Sequence, residues 1–491
     1  MLVGTGAQRD TYPQRILFHR WIVPICSLLL LAALVPVAHA VDISAPVNVS
    51  SRRSSQAEAA IAVNPLNPQD VVVASNVEYG FGILVAVSHD GGVTWSRTVL
   101  GDVDRFGIAC CDPTIAWDES GTLFLAWLGL ERSFVPTVIP ILMSTDAGDS
   151  WQVYRRLRPA DPEHQPQTST AFRTLSREDG EGERGGGVDQ PTIAVGHRSL
   201  WVIWSHAGWL QTAGAKIRGL GDLGPLRGGV HDVPRSKNCT FGDLAVGPRG
   251  EVIQVCQRDV PSSDPRRSVL RVNLDADGLR VGPFDAGRVV ARTNVSLFEP
   301  IPAQRSRTID AEAGFAWDHR LGPGGRLYLI YTDEPDDETD NTDVMLMTSD
   351  DRGGSWTEPR AVVAAPRSQF LPRIAIDHVS GQLAIGFHDA RRDRGSGAFD
   401  TDGRPNTDAM YSLILSADAG AVWTPIAFVS QGPSNAAAAG NEVDFGDYTG
   451  LAFVADIVRP AWADNSNSTG DNPDGTLADF DVYTAAVTAT A

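Results

Sequence analysis

Lysine is nearly absent from this chain of 491 residues. Only Lys216 and Lys237 occur, so arginine supplies almost all of the 41 basic side chains that face 60 acidic ones. A surface with a formal charge of −19 repels nucleic acid and anionic lipid, whose binding rests on clustered cations, and neither is an expected partner. Cysteine is scarce too. The five are Cys26, Cys110, Cys111, Cys239 and Cys256, and with no two CxxC pairs among them a structural zinc site has no basis. Long apolar runs are limited to Trp21–Val37, which holds Pro24 and Pro36 and falls short of the ~20 residues that span a bilayer. Arg9, Arg15 and Arg20 precede it and Ala38-His39-Ala40 follows, the pattern of a secretory signal peptide over residues 1–40. Residues 41–491 are then expected to form one secreted or periplasmic domain, monomeric and free of the membrane once the signal is cleaved.

Glycine, with 48 copies, is plentiful, and it marks a repeat. Four segments read Ser-x-Asp-x-Gly-x-x-Trp: Ser88, Asp90, Gly92 and Trp95; Ser144, Asp146, Gly148 and Trp151; Ser349, Asp351, Gly353 and Trp356; Ser416, Asp418, Gly420 and Trp423. The Asp side chain can bond the amides of a tight turn, Gly accepts positive φ, and Trp packs beside the next strand. A second repeat places alanine between apolar residues at Ala62, Ala116, Ala194, Ala245, Ala316, Ala375 and Ala452, each followed by another strand-like run. A small residue on an innermost strand suits the crowding near a propeller axis. Four short strands per unit, repeated radially, predict an all-β propeller with seven four-stranded blades, six being the alternative. The last unit lacks a fourth strand, and Pro46–Val49 is predicted to supply it and close the ring. Cys239 and Cys256 fall at adjoining ends of neighbouring strands, which predicts a disulfide between them. Cys110 and Cys111 are either reduced or joined to each other.

The Ser-x-Asp-x-Gly-x-x-Trp turns resemble the Asp-box (BNR) repeats of sialidases and related exported propellers. The resemblance implies a propeller with its boxes on the face opposite the active site. It also implies exo-cleavage of terminal sialic acid by an arginine cluster, a tyrosine nucleophile assisted by glutamate, and an aspartate acid/base; sialidases are the tyrosine exception among glycosidases. Carried onto this sequence, it would have Arg373 and Arg391 bind the acidic sugar, Tyr448 attack, Glu312 assist, and Asp389 or Asp393 donate the proton. The order Arg373-Ile374-Ala375, then His388 to Asp393, then the box at Ser416 agrees with the family. Alanine replaces the family proline at position 375, and seven blades would exceed the family's six.

Topology gives a reading of its own. The residue four before each repeat alanine should stand at the mouth of the central channel. Those residues are Glu58, Asp112, Gln190, Phe241, Glu312, Leu371 and Tyr448, with Asp189, Arg373 and Asp447 beside them. Close carboxylates shift one another's pKa, which is how a glycosidase obtains an acid and a base from similar groups. The ring therefore offers a glycan-binding set in Glu58, Asp112, Asp189, Asp447 and Arg373, to which the resemblance adds Arg391. Three functions remain open: a sialidase-like hydrolase acting on terminal sugars, a non-catalytic propeller that binds glycan or protein, and another glycosidase using paired carboxylates such as Asp112 and Glu312. No organic cofactor is implied. The loops Asp333 to Asp343, Asp389 to Asp408 and Asp464 to Asp481 are rich in oxygen ligands of the kind calcium takes.

Overall fold

Runs of Val, Ile and Leu a few residues long, punctuated by Gly and Asp turns, become strands throughout, and the one helix among the described residues is the short Ala436–Ala439. The computed structural model describes residues 41–489 except 79, 132–133, 160–186, 262–266, 281 and 336–340. The predicted signal segment and the acidic residues Asp336, Asp337, Glu338 and Asp340 lie outside the described residues.

Seven antiparallel sheets follow one another along the chain, with sequential strands pairing inside each. Their innermost strands are Ala60–Val63, Ile108–Trp117, Val188–Gly196, Thr240–Val246, Gly314–Asp318, Gln369–Ile376 and Gly450–Val454, and each carries one repeat alanine. The protein is a seven-bladed β-propeller. Blades are numbered here one to seven in that order. The apolar core is divided among the interfaces between blades: Val85 and Trp127 belong to the cluster of blades one and two, Ile330 and Phe387 to that of five and six, and Ile61 and Val482 to that of seven and one. Burying side chains of this size contributes about 1.5–3 kcal/mol each, so the sheets hold one another rather than a central core. On the outer edge of blade seven, Val47–Asn48 pairs with Asp481–Thr484 and Val41–Ile43 pairs with Val487–Ala489.

Each Asp box joins the third and fourth strands of its blade, in blades one, two, five and six. In blade two the Ser144 hydroxyl donates to Asp146 at 2.7 Å and accepts from the Gly148 amide at 2.9 Å. Asp146 in turn accepts from the Ser150 amide at 2.9 Å. Blade three has a two-residue turn there instead, and blade four the longer segment 276–287. Cys239 and Cys256 form the expected disulfide, and Cys110 is bonded to Cys111.

Two connections between blades that lie within the described residues are long. A hairpin of Glu299–Ile301 and Gln304–Ile309 separates blades four and five, and residues 430–449 separate six and seven. Both pack into one apolar cluster through Ile301, Ile309, Ala436 and Phe445. Strand direction puts this cluster on the face where innermost strands begin, opposite the Asp boxes.

Candidate functional site

The sequence register that singled out one residue per blade corresponds to a shared backbone feature. Glu58, Asp112, Gln190, Glu312 and Leu371 all occupy the left-handed region, with φ between 42° and 55°. Register shifts follow at the same place in blades two, three, four and six, so the strands bulge as they start. A bulge re-aims the side chain next to it, and non-glycine residues adopt this φ only where the surroundings hold them. Below the bulges lies a cavity of about 170 Å³ bounded by all seven inner strands, with Gln190, Asp243, Glu312, Arg373 and Tyr448 supplying its polar wall.

At the entrance to this cavity, buried Glu58 and Asp112 share a hydrogen bond between their carboxyl groups. Asn76 bonds both neighbours: its amide group donates to Glu58, and its carbonyl oxygen accepts from the Asp112 amide at 2.9 Å. Arg307 grips Asp447 with Nε at 2.8 Å and Nη2 at 2.5 Å, and reaches Glu58 with Nη2 at 2.7 Å. Burial pushes the Glu58 carboxyl well above the carboxylate range; Arg307 opposes this, and Asp447 and Asp112 add to it. Burial, then Asp189 and Asp447, push Asp112 up to about 7, and burial with Asp447 brings Asp189 to about 7 as well. Despite the burial of Arg307, Asp447 and Glu58 hold its guanidinium firmly protonated.

A second acidic group faces the first across the channel. Glu312 and Asp310 are hydrogen-bonded through their carboxyl groups; burial and then Asp310 raise Glu312 well above its ordinary range, and Asp310 rises to about 7, chiefly by burial. Asp243, also raised by burial, accepts from the amides of Phe315 at 2.8 Å and Leu244 at 2.9 Å. Arg373 moderates all three. Among the described residues its guanidinium makes no hydrogen bond or ion pair, so its donors are available to whatever enters the cavity.

The expected roles rearrange. Tyr448 lines the cavity, but its hydroxyl donates to the Pro113 carbonyl at 3.3 Å, and burial with Asp112, Glu58 and Asp447 pushes it far above the usual phenol range. The glutamate expected to assist it, Glu312, is bonded to Asp310 instead. Arg391 lies with Asp389, Nε to Oδ2 at 2.5 Å, and neither residue lines the cavity. Asp393 accepts from the amides of Thr407 at 2.8 Å and Asp408 at 3.0 Å, holding the loop between the second and third strands of blade six. One carboxylate oxygen each from Asp393, Asp400 and Asp408 falls within 4.8 Å of the others, the grouping that comes nearest to a cation site among the described residues. Those oxygens already accept amide protons within the loop, as Asp408 does from Thr401 at 2.8 Å.

Arg307 and Asp310 were not legible as site residues. Arg307 comes from the hairpin before blade five, outside the blade repeat, and Asp310 follows that hairpin directly. Asp444, from the connection before blade seven, accepts from the amides of Ser306 and Arg307, each at 2.9 Å, and so fixes the arginine.

The family model of the BNR/Asp-box repeat matches residues 86–97, the turn of blade one. The chain is a β-propeller that carries BNR/Asp-box turns. A comparison with curated proteins finds no match. Among solved structures, this Asp-box propeller is similar to an α-L-arabinofuranosidase, Arb93A, from Fusarium graminearum, at 12% identity over 70% of this chain and 92% of that one, with a TM-score of 0.45. It is similar to a protein of unknown function from Dyadobacter fermentans at 12% identity over 91% and 99% of the two chains, TM-score 0.47. A Hadza microbial sialidase, Hz136, matches at 15% identity over 85% and 73%, TM-score 0.42. These are likenesses of chain path, and no residue role is carried over from them. In this Asp-box propeller the boxes and the acidic mouth occupy opposite faces by the direction of the strands.

Proposed function

We propose that the protein is a glycoside hydrolase that works with paired carboxylates at the channel mouth and holds its sugar against Arg373. The observation that supports this is the pairing of Asp112 with Asp189. The two stand on adjacent blades, each is raised to about 7, and the charge of Asp189 is the largest influence on Asp112 after burial. Two such groups cannot both ionise readily, so near neutral pH one carries a proton while the other is a carboxylate, the division of labour that glycoside cleavage needs. The titration belongs to the pair. In this reading the protonated member donates to the leaving oxygen, and the ionised member activates water or attacks the sugar carbon. Arg373, with unengaged donors, orients a hydroxyl or carboxylate of the substrate.

A sialidase arrangement is the weaker fit. It needs several arginines free to converge beside a tyrosine, whereas Arg307 is engaged by Asp447 and Glu58, and Arg391 by Asp389. The test is a panel of fluorogenic glycosides, including an α-L-arabinofuranoside and a sialoside, with the wild type, Asp112→Asn and Asp189→Asn. Release from at least one glycoside, reduced about 100-fold or more in each variant with the melting temperature maintained, supports the reading. Absence of release from every glycoside, or full activity in both variants, overturns it; sugar binding without turnover would make the mouth a recognition site.

A further inference from the structure

A second cavity, of about 480 Å³, lies on the Asp-box face, where turns of blades three and four meet. In a chain with a formal charge of −19 and only two lysines, its wall contains Arg198, Lys216, Arg218, Arg227, Arg249 and Arg280. The one carboxylate among its lining residues is Asp277. These two blades are the ones whose third and fourth strands are joined without an Asp box or an irregular closing strand.

The guanidinium groups are fixed largely by carbonyl oxygens, which position a cation without neutralising it. Arg198 donates to the Arg218 carbonyl at 2.8 Å, Arg227 to that of Leu279 at 2.9 Å, and Arg249 to that of Pro323 at 2.6 and 3.1 Å. Arg218 has a loose ion pair with Asp222 at 3.9 Å. Among the described residues, the side chains of Lys216 and Arg280 make no hydrogen bond or ion pair. At the rim, His197 and Arg198 form a two-residue hairpin turn with φ of 44° and 58°. Both positions favour Asn or Gly, so a His-Arg pair there holds the arginine at a conformational cost.

Six cations gathered around one space repel each other, and an anion placed among them removes that repulsion. Arginine forks match the oxygens of sulfate and phosphate in pairs. A compact ligand fits best, because the cavity's attraction is screened beyond a Debye length of about 8 Å and a long polyanion leaving it would run along the surface of an acidic protein. The volume is that of a small-molecule site, and Pro225 and Leu279 give it an apolar wall. We propose that this cavity binds a sugar bearing two or more sulfate or phosphate groups. The site is on the face opposite the acidic mouth, so the proposal does not depend on the hydrolytic reading.

Calorimetric titration of the purified full chain tests it, with a sulfated disaccharide, a hexose bisphosphate, inorganic sulfate and an uncharged disaccharide as probes. Saturable binding of a charged sugar is expected, weakening about tenfold or more between 50 and 200 mM salt, with no binding of the uncharged disaccharide. Preference for the sulfated or the phosphorylated probe assigns the anion, and equal binding supports the shared chemistry. Lys216→Ala/Arg280→Ala should weaken binding about tenfold or more, and Lys216→Ala alone by less, with unchanged circular dichroism. Failure of both charged sugars to bind, equal affinity in the double variant, or inorganic sulfate binding as tightly as the sugars overturns the proposal.

Discussion

Glu58 and Asp112, on neighbouring blades, join through their carboxyl groups, so that one proton serves two buried acids. The consequence is a stability that declines with rising pH near neutrality. Asp112, Asp189 and Asp310 titrate at about 7 in the fold against an ordinary 3.8, and Glu58 and Glu312 lie well above 4.5. Between those limits the native state binds more protons than the unfolded chain, so the stabilisation present at low pH is lost as pH rises through the folded values. His206, His319, His378 and His388, all lowered from 6.5 by burial, act in the opposite sense, but only while the unfolded histidines are still protonated. The melting temperature should therefore fall from pH 6.5 to 8.5, and Glu312→Gln should flatten the fall. A rise over that interval would contradict the assignment.

Arg373→Met should separate binding from folding. Its guanidinium has no hydrogen-bonded partner to strand, so the melting temperature should move little at acidic pH, where the acids it moderates are protonated, and fall only as pH rises toward neutrality. Loss of a charged hydrogen bond to substrate costs about 1.5–3 kcal/mol, or roughly 10- to 100-fold in KM. Because Arg373 moderates Asp243, Asp310 and Glu312, the variant's pH profile should also move upward. Steady-state kinetics across pH reads both effects.

Tyr448→Phe distinguishes the two hydrolytic mechanisms. A tyrosine nucleophile predicts complete loss of turnover. The paired-carboxylate reading predicts retained turnover in Tyr448→Phe and loss in Asp112→Asn, since the phenol donates only to the Pro113 carbonyl. Turnover rates of the two variants on the best glycoside settle the choice.

Ser144→Ala removes the buried hydroxyl that links Asp146 to the Gly148 amide. Leaving that amide without its partner should cost about 1–3 kcal/mol. Denaturant unfolding should show a lower midpoint with an unchanged slope, and activity below the transition should match the wild type because the turn lies on the other face.

The architecture was readable because a propeller repeats itself. The serines, aspartates and glycines of four turns and the alanines of seven inner strands announce it at fixed offsets, and the offset of four residues before each alanine found the bulged positions. What sequence alone missed lies outside the repeat. Arg307 comes from an inserted hairpin with no counterpart in other blades, Asp310 from the residues just after it, and Asp444, which holds Arg307, from another inter-blade connection. Asp389, Arg391 and Asp393 had the right residue types, yet one another and local amides claim them. Residue type and order do not reveal which polar group a side chain reaches first.

The five left-handed positions at the strand entrances make the mouth modular. A residue there stands outside the regular ladder, within a register shift at Asp112, Gln190 and Leu371 or just ahead of the strand at Glu58 and Glu312, so strand pairing does not dictate its identity. Gln190 and Leu371 stand in the same backbone socket as Glu58, Asp112 and Glu312. A propeller of this kind can have its chemistry rewritten one blade at a time, by exchanging the side chain in a single socket while the sheet beneath it stays the same.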